Sequence, residues 1–596
     1  MWLREQQSNN LMSTRSTHHK LLIIIVLLAL SACGGGGGGD SAAASTPAGP
    51  QPVPVSPPVE VEPPVEQEAP KTPVAHVQFV DATFAAGLFF THGINVQTTA
   101  GRVVAGVAVG DYDNDGWLDI YLAQGDTGFN HLFENRSQGG DYAFTDVAVD
   151  AGVAGEIADK ASGPAFVDYD GDGDMDLFVG SVENTQFRVF GNLGGGEFEE
   201  VTADTGLGDI ARENNIGMAF GDYDQDADLD LFIAHWTFTA NELPTGTTLH
   251  LWRNNGDGTF SDVSDQSLIS ETIVEADFDY TFAPTFADID GDADLDLLIV
   301  ADSGTSQVLI NNGDMGGGLY TFGYATDRNV ITDDNGMGSS VADFDNDGDL
   351  DWFVTSISLG DPPGGRETET NNSGFPLSGN RFYRNDGAGV FSDQTESAGV
   401  RKGYWGWGSC AADFNNDGFL DIFHVNGMDE PSTNAYLKDP SRLFINNADG
   451  SFTEYSEPLG LVDEASGRGV TCFDGDQDGD VDILIANNRA SARLFRNDGG
   501  NQLNYLNLQL RADGPNTRSI GARIYVSSGG MTQLREIHNG NNFVSQNPTE
   551  QHFGLNDVSL IDRVRVVWPD GSESSRDNIV ANQRIMVSYP DSWSTD

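Results

Sequence analysis

A nine-residue form, D-x-[DN]-x-D-[GA]-x-x-D, occurs seven times between Asp111 and Asp482, and no other feature of the chain restricts its fold as much. The copies begin at Asp111, Asp168, Asp222, Asp288, Asp343, Asp413 and Asp474, so successive starts lie 57, 54, 66, 55, 70 and 61 residues apart. Self-similarity at such a period belongs to repeat architectures, in which each unit needs its neighbours to bury its apolar face.

Two further segments travel with each loop. One reads like LFxN, with an Asn two residues beyond an apolar pair such as Leu132-Phe133, Val189-Phe190 or Leu494-Phe495. A Gly-rich turn such as NNGDGTF follows, and then a segment like FxDVT, beginning at Phe144, Phe198, Phe260, Phe322, Phe391 and Phe452. Asn-Gly and Asp-Gly between alternating segments are hairpin signals, so each unit reads as four short strands with little helix anywhere. One extra FxDVT copy, Phe79 to Thr83, precedes the first loop, while the last LFxN copy, at Leu494, has no FxDVT behind it. Pairing these two would complete a seventh blade from both ends and close a ring without free edges. The fold expected is therefore all-β: a seven-bladed β-propeller over residues 75–500 followed by a small C-terminal β-domain over 501–592.

The loops carry the chemistry. Carboxylates at positions 1, 3 and 5 of a tight loop, a carbonyl at position 7 and a carboxylate at position 9 suit Ca²⁺, which takes six to eight hard oxygens at flexible geometry; Mg²⁺ is a weaker candidate because it retains its waters. The side chains in these positions are Asp111, Asp113, Asp115 and Asp119; Asp168, Asp170, Asp172 and Asp176; Asp222, Asp224, Asp226 and Asp230; Asp288, Asp290, Asp292 and Asp296; Asp343, Asp345, Asp347 and Asp351; Asp413, Asn415, Asp417 and Asp421; and Asp474, Asp476, Asp478 and Asp482. Up to seven calcium ions are expected. The competing role, in which Asp, Asn and Gly merely mark turns, does not explain why one ligand spacing recurs seven times. Position 6 calls for the left-handed region, so Ala227 and Ala293, where the other loops have Gly, predict weaker third and fourth sites, and the uncharged Asn415 a weaker sixth.

Net charge is −61, and residues 75–500 hold 18 Lys or Arg against 75 Asp or Glu. Such a surface repels phosphate backbones and excludes nucleic acid as a partner. The tail, with 8 basic and 10 acidic residues from 501 to 596, is nearly neutral and is not expected to share the metal chemistry. At the start, Arg15 and Lys20 precede the apolar run Leu21 to Leu30, too short to span a bilayer but suited to a signal peptide. Leu30-Ser31-Ala32-Cys33 follows and resembles a bacterial lipobox, which implies a signal peptide over 1–33 and lipidation of Cys33. Residues 34–74 are a Gly- and Pro-rich tether, and Gly34 after the lipidated Cys implies the outer membrane, with the membrane touched only through the lipid. The two other cysteines, Cys410 and Cys472, stand three and two residues before their loops. Strand alternation then points them to opposite faces, which argues against a disulfide.

The loop with its VxxGDxDxDGxxDLxV surroundings and LFxNxGxGxFxDVTxxAG connection resembles the FG-GAP or VCBS-type repeats of integrin-like propellers. The tail segments NYLNLQLR, SIGARIYVSSGG, REIHNGNNFVSQ, HFGL and VRVVWPDG resemble the ASPIC and UnbV domain. Together they look like a bacterial relative of the cartilage acidic protein family, a resemblance that implies calcium binding and extracellular placement without fixing an activity. Within the tail, Leu506, Leu508 and Leu510 alternate, as do Val564 and Val566, and Asn539-Gly540 with Phe543 reads as a plain hairpin rather than a contact loop.

In a four-strand blade the loop between the second and third strands lies on the face opposite the aspartate loops. The long insertions Trp236 to Leu249, Ser356 to Asn380 and Gly427 to Ser441 fall there, together with the segment holding Tyr404, Trp405 and Trp407. Trp236, Tyr404, Trp405 and Trp407 are candidates to stack on sugar rings or anchor a protein; the competing role is packing between blades. The leading functional expectation is a calcium-binding, membrane-tethered module for binding or adhesion to a glycan or protein. A carbohydrate-active enzyme on the face opposite calcium, or a structural subunit of an envelope complex, is the alternative. The chain has no HExxH, GxSxG or P-loop, and His235 and His424 sit at unlike offsets from their loops.

Overall fold

A computed structural model describes residues 74–595 except 75, 96–98, 139–140, 158, 184, 211–213, 237–247, 274–278, 359–376, 429–435 and 541. The signal peptide, Cys33 and the tether up to residue 73 lie outside these residues, as do 237–247, 359–376 and 429–435 of the three long insertions.

Each repeat folds as the four strands that its segments imply. In blade 1 they are Val107–Gly110, Asp119–Leu122, His131–Asn135 and Phe144–Asp146, each antiparallel to the next. Five further blades repeat this order, and the seventh is assembled from both ends of the domain. Phe79–Asp81 pairs with Arg493–Asn497, with Phe79 opposite Asn497 and Asp81 opposite Phe495. The expected closure is therefore realised, and each blade's outer edge ends on a strand only three to five residues long, which limits edge-to-edge association.

The FxDVT phenylalanines are buried except for the half-buried Phe391, and their rings pack on the loops' second residues, as where Tyr112 stacks on Phe198 at 5.9 Å and Tyr169 on Phe260 at 5.9 Å. Blade therefore holds blade through aromatic contact across their stacked faces.

The tail is a sandwich of two four-stranded sheets, one of Gln551–Asn556, Asn504–Arg511, Gln583–Ser588 and Ser592–Thr595, the other of Met531–Glu536, Arg523–Ser528, Leu560–Val567 and Glu573–Val580. The alternating Leu506, Leu508, Leu510, Val564 and Val566 form its core, each no more than 1% exposed.

Two expectations fail here for instructive reasons. Cys410 and Cys472 are joined by a disulfide, with 6.2 Å between their Cα atoms. Their registers, Cys410 opposite Phe423 and Cys472 opposite Ile483, do place them on opposite faces of their own blades. Successive blades stack face to face, so opposite faces of neighbours are the ones that meet, and the parity argument pointed the wrong way. The Asn539 to Phe543 segment is not a plain hairpin. It enters the propeller's centre, where Ser545–Gln546 adds a fifth, parallel strand to the inner edge of blade 1 beside Val107 and Ala108. The inner edges of a propeller expose backbone groups that need partners. Asn539 serves Phe166 and Phe220, Asn542 serves Ser409 and Val470, and Gln546 serves Phe166 on both sides. Phe543, fully buried, packs on Phe282 at 5.2 Å and Trp407 at 5.3 Å.

Candidate metal centres

All seven loops share one backbone geometry. The amide at position 6 donates to the first aspartate of its own loop, at 2.7 to 3.3 Å. Position 6 is left-handed throughout, including Ala227 at φ 77° and Ala293 at φ 75°, so these two residues occupy the region where a side chain is strained. This folding turns the carboxylates inward. Ligand oxygens of Asp111, Asp113 and Asp115 lie within 4.8 Å of one another, as do those of Asp222, Asp224 and Asp226, and of Asp343, Asp345 and Asp347. In the second and fourth loops the converging sets are Asp168, Asp170 and Asp176, and Asp288, Asp290 and Asp296. In the sixth, the Asn415 amide donates to Asp417 at 2.9 Å, an internal bond that replaces one ligand charge.

Position 9 plays a second part. Asp119, Asp176, Asp230, Asp296, Asp351, Asp421 and Asp482 are at most 1% exposed, and each accepts the backbone amide of the LFxN asparagine, at 2.6 to 2.9 Å. Burial pushes their carboxyls up, Asp176 to about 9, Asp296 to about 8 and Asp351 to about 8. Burial likewise raises Asp113 and Asp168 to about 6 and Asp222 and Asp343 to about 7, with neighbouring carboxylates adding to it. Such clustering makes the anionic loops unfavourable until a cation neutralises them.

The LFxN asparagines do more than the sequence suggested. Each side-chain amide donates twice, once to the carbonyl at position 8 of its own loop and once to the carbonyl at position 2 of the preceding blade's loop. Asn192 thus reaches Met175 and Tyr112 (both 2.9 Å), Asn446 reaches Leu420 (3.1 Å) and Phe344 (2.9 Å), and Asn135 reaches Gly475 of the last blade (2.9 Å), closing the ring. Asn254, Asn311, Asn385 and Asn497 repeat the arrangement. The signal was visible as an invariant Asn within this one chain, but its partners lie a blade away.

The near-neutral tail, expected to stand apart from the metal chemistry, covers the loops instead. Its basic residues are all arginines, and five of the eight turn toward the propeller. Arg523 pairs with Asp288 at 3.2 Å, Thr517 donates to Asp168, Asn507 donates to Asp474 at 2.8 Å, and the Arg535 charge acts on both Asp343 and Asp413. Net charge hid this because the tail's acidic residues balance the count, although some of them, Glu536 beside Asp288 and Glu550 beside Asp474, also face the loops.

The tail over residues 512–593 matches the model of the ASPIC and UnbV family, and residues 111–179, 168–233, 238–299, 288–354 and 371–424 match the FG-GAP-like repeat. The chain carries an ASPIC and UnbV domain behind FG-GAP-like repeats and is homologous to cartilage acidic protein 1. Among its relatives, cartilage acidic protein 1 of Xenopus tropicalis is 24% identical over 519 residues, covering 81% of this chain and 64% of the frog protein. The Homo sapiens protein of the same name is 28% identical over 272 residues, covering 35% of this chain and 40% of its own length. The chain therefore spans under two thirds of either relative. A solved structure of an Agrocybe aegerita lectin, which recognises non-reducing terminal N-acetylglucosamine, is 16% identical and covers 67% of this chain and 91% of its own, at a TM-score of 0.34.

The four aromatic candidates divide. Trp236 is buried at 3% exposure and stacks on Phe282 at 5.2 Å. Trp407 is buried at 2%, donates to the Gly427 carbonyl and carries the Arg468 guanidinium at 4.1 Å. Both belong to the core around Phe543, so the packing role holds for them and the ligand role does not. Tyr404 and Trp405 are half-buried, with Arg442 4.4 Å above the Tyr404 ring and Tyr436 edge-on to Trp405 at 5.1 Å.

Proposed function

We propose that this chain is a calcium-stabilised binding module, tethered to the cell envelope through Cys33 and offering its propeller to a glycan or protein partner. One observation carries the metal part: Asp111 Oδ1, Asp224 Oδ1 and both oxygens of Asp476 are buried within the loops and have no hydrogen-bond donor. Burying an ionised oxygen without a partner is costly, and a bound cation removes that cost. The donors are all oxygens in flexible loops, which suits calcium better than a transition metal. Bound there, the ion would crosslink the two strands that flank each loop. The binding part is supported by the match to FG-GAP-like repeats.

Because the tail covers the loop face, the accessible surface for a partner is the opposite end and the rim, where Tyr404 and Trp405 lie. The Asn539 to Phe543 segment is occupied inside the propeller and is not offered to a partner. Among the described residues no helix is long and apolar enough to cross a membrane.

Glycan-array retention of the calcium-loaded protein, with and without chelator and with Tyr404→Ala and Trp405→Ala, tests the binding reading. Retention that survives both the chelator and the double substitution would contradict it. For the tether, Cys33→Ser should release the protein from membranes, and release that does not occur would count against lipid anchoring.

A further inference from the structure

The tail does not cover every loop equally. Of the clefts where it meets the loops, two are the widest, and their charges differ. The cleft at the third loop, of about 530 Å³, includes Asp222, and its tail wall carries Asp513 and Asp570 but no basic group. The cleft at the first loop, of about 400 Å³, has Asp111, Asp115 and Trp117 on the propeller side and Gln509, Arg511 and Arg584 on the tail side. No tail carboxylate lines it. Glu550 pairs with Arg584 at 2.6 Å and lines a small neighbouring cavity with Asp111 and Arg511, and Arg584 also donates to the Gly116 carbonyl at 2.7 Å.

Two atoms at the first-loop cleft lack what they need. Asp111 is 6% exposed, and its Oδ1 has no donor. Arg511 Nη1 is buried without an acceptor, and its Nη2 stands 3.9 Å from Asp111 Oδ2, beyond hydrogen-bond distance. Elsewhere the tail meets a first-position carboxylate directly, as Asn507 does at Asp474 and Arg523 at Asp288. At the first loop the guanidinium is held off. A cation on Asp111, Asp113 and Asp115 satisfies the carboxylate side, and an anionic oxygen bound to that cation satisfies Arg511.

We propose that the first-loop cleft binds a carboxylate group, which ligates the loop-1 cation with one oxygen and accepts a hydrogen bond from Arg511. This rests on the calcium reading above and adds the class of ligand. A neutral water would satisfy Arg511 Nη1 without offsetting its charge; a carboxylate matches both the ion and the Arg511 guanidinium. The acidic wall of the third-loop cleft disfavours the same ligand there. The carboxylate can come from an acidic peptide or an acidic sugar, and the chemistry at the ion is common to both.

Trp117, the one tryptophan inside any of the seven loops, supplies a local probe. The full-length protein is loaded with Tb³⁺ in place of calcium and excited through tryptophan, and the emission lost on Trp117→Phe is assigned to loop 1. Luminescence lifetimes in water and deuterated water then count the coordinated waters. Acetyl-Gly-Asp-Gly amide and glucuronate are the carboxylate probes; acetyl-Gly-Asn-Gly amide and glucose are their neutral matches. The expected result is a loss of about one coordinated water with a carboxylate probe and none with its neutral match, and an affinity weakened about tenfold or more by Arg511→Gln with Tb³⁺ still bound. Peptide and sugar arms report which source fits better. An unchanged water count with Tb³⁺ bound, equal effects of the neutral probes, or an Arg511→Gln affinity equal to the parent would each overturn the proposal while leaving the calcium reading standing. Absence of both Tb³⁺ emission and bound calcium would remove the calcium reading itself.

Discussion

The asparagine that bridges successive blades gives a sharp test of how the ring is held. Asn446 is 3% exposed; its side chain donates to Phe344 O at 2.9 Å and Leu420 O at 3.1 Å and accepts from the Ala448 amide at 3.0 Å. Asn446→Ala removes all three bonds and leaves two carbonyls and one amide in a buried site without partners. At about 1–3 kcal/mol for each group left unsatisfied, reduced where water can enter beside the loop, the loss is about 2–5 kcal/mol. For a cooperative unit of roughly 500 residues the unfolding entropy is about 1 kcal/mol/K, so the melting temperature should fall by about 2–5 °C. The neighbouring Asn447, whose side chain bonds only Ser451 and Thr453 within its own hairpin, is the control. Asn447→Ala should shift melting by less than about 1 °C. Scanning calorimetry in excess calcium makes the comparison. Equal shifts for the two variants, or an Asn446→Ala shift below 1 °C, would refute the bridge as a source of stability.

Three further outcomes follow from the same structure. Phe543→Ala should destabilise by about 3–5 kcal/mol, because it empties the centre of the propeller; a chemical-denaturation midpoint unchanged from the parent would contradict the packing of this residue. The Cys410–Cys472 disulfide encloses 62 residues of sequence separation, so its removal by paired Cys→Ser substitution should cost about 4 kcal/mol by loop-closure entropy, measured the same way. With chelator present, stability should fall as pH rises: the loop carboxyls are raised in the folded state, to about 6 at Asp168, about 7 at Asp222 and about 8 at Asp296, above their unfolded value of 3.8. The folded state therefore binds more protons between pH 4 and 8, and its advantage is lost as these protons leave. Melting in chelator should be higher at pH 5.5 than at pH 8, while calcium, which competes with those protons, should remove or reverse the trend; a metal-free melting temperature that rises with pH would contradict the sign.

Much of the fold was legible because its signals are local. Each blade's four strands, the hairpin turns and the split seventh blade follow from segments that repeat in register, and a repeat proves its own boundaries. The convergent aspartates were legible for the same reason. What escaped depended on relations between blades or between the propeller and the tail. The parity of Cys410 and Cys472 was counted correctly but judged against a single sheet, whereas blades meet by opposite faces. Asn539, Asn542, Ser545 and Gln546 look like loop residues because their partners are backbone groups on five other inner strands. The tail's arginines were lost in a balanced charge count. Trp236 and Trp407 sit at loop-like positions in the sequence, yet Phe543 draws them into a common core that only the assembled ring creates.

The central claim is that the aspartate loops hold calcium and that calcium holds the fold. Native mass spectrometry of residues 75–596, together with the melting temperature in calcium and in chelator, tests it most directly. Five to seven tightly retained calcium ions and a large fall in melting temperature on chelation are expected. A protein that carries no calcium and melts at the same temperature in both conditions would contradict it.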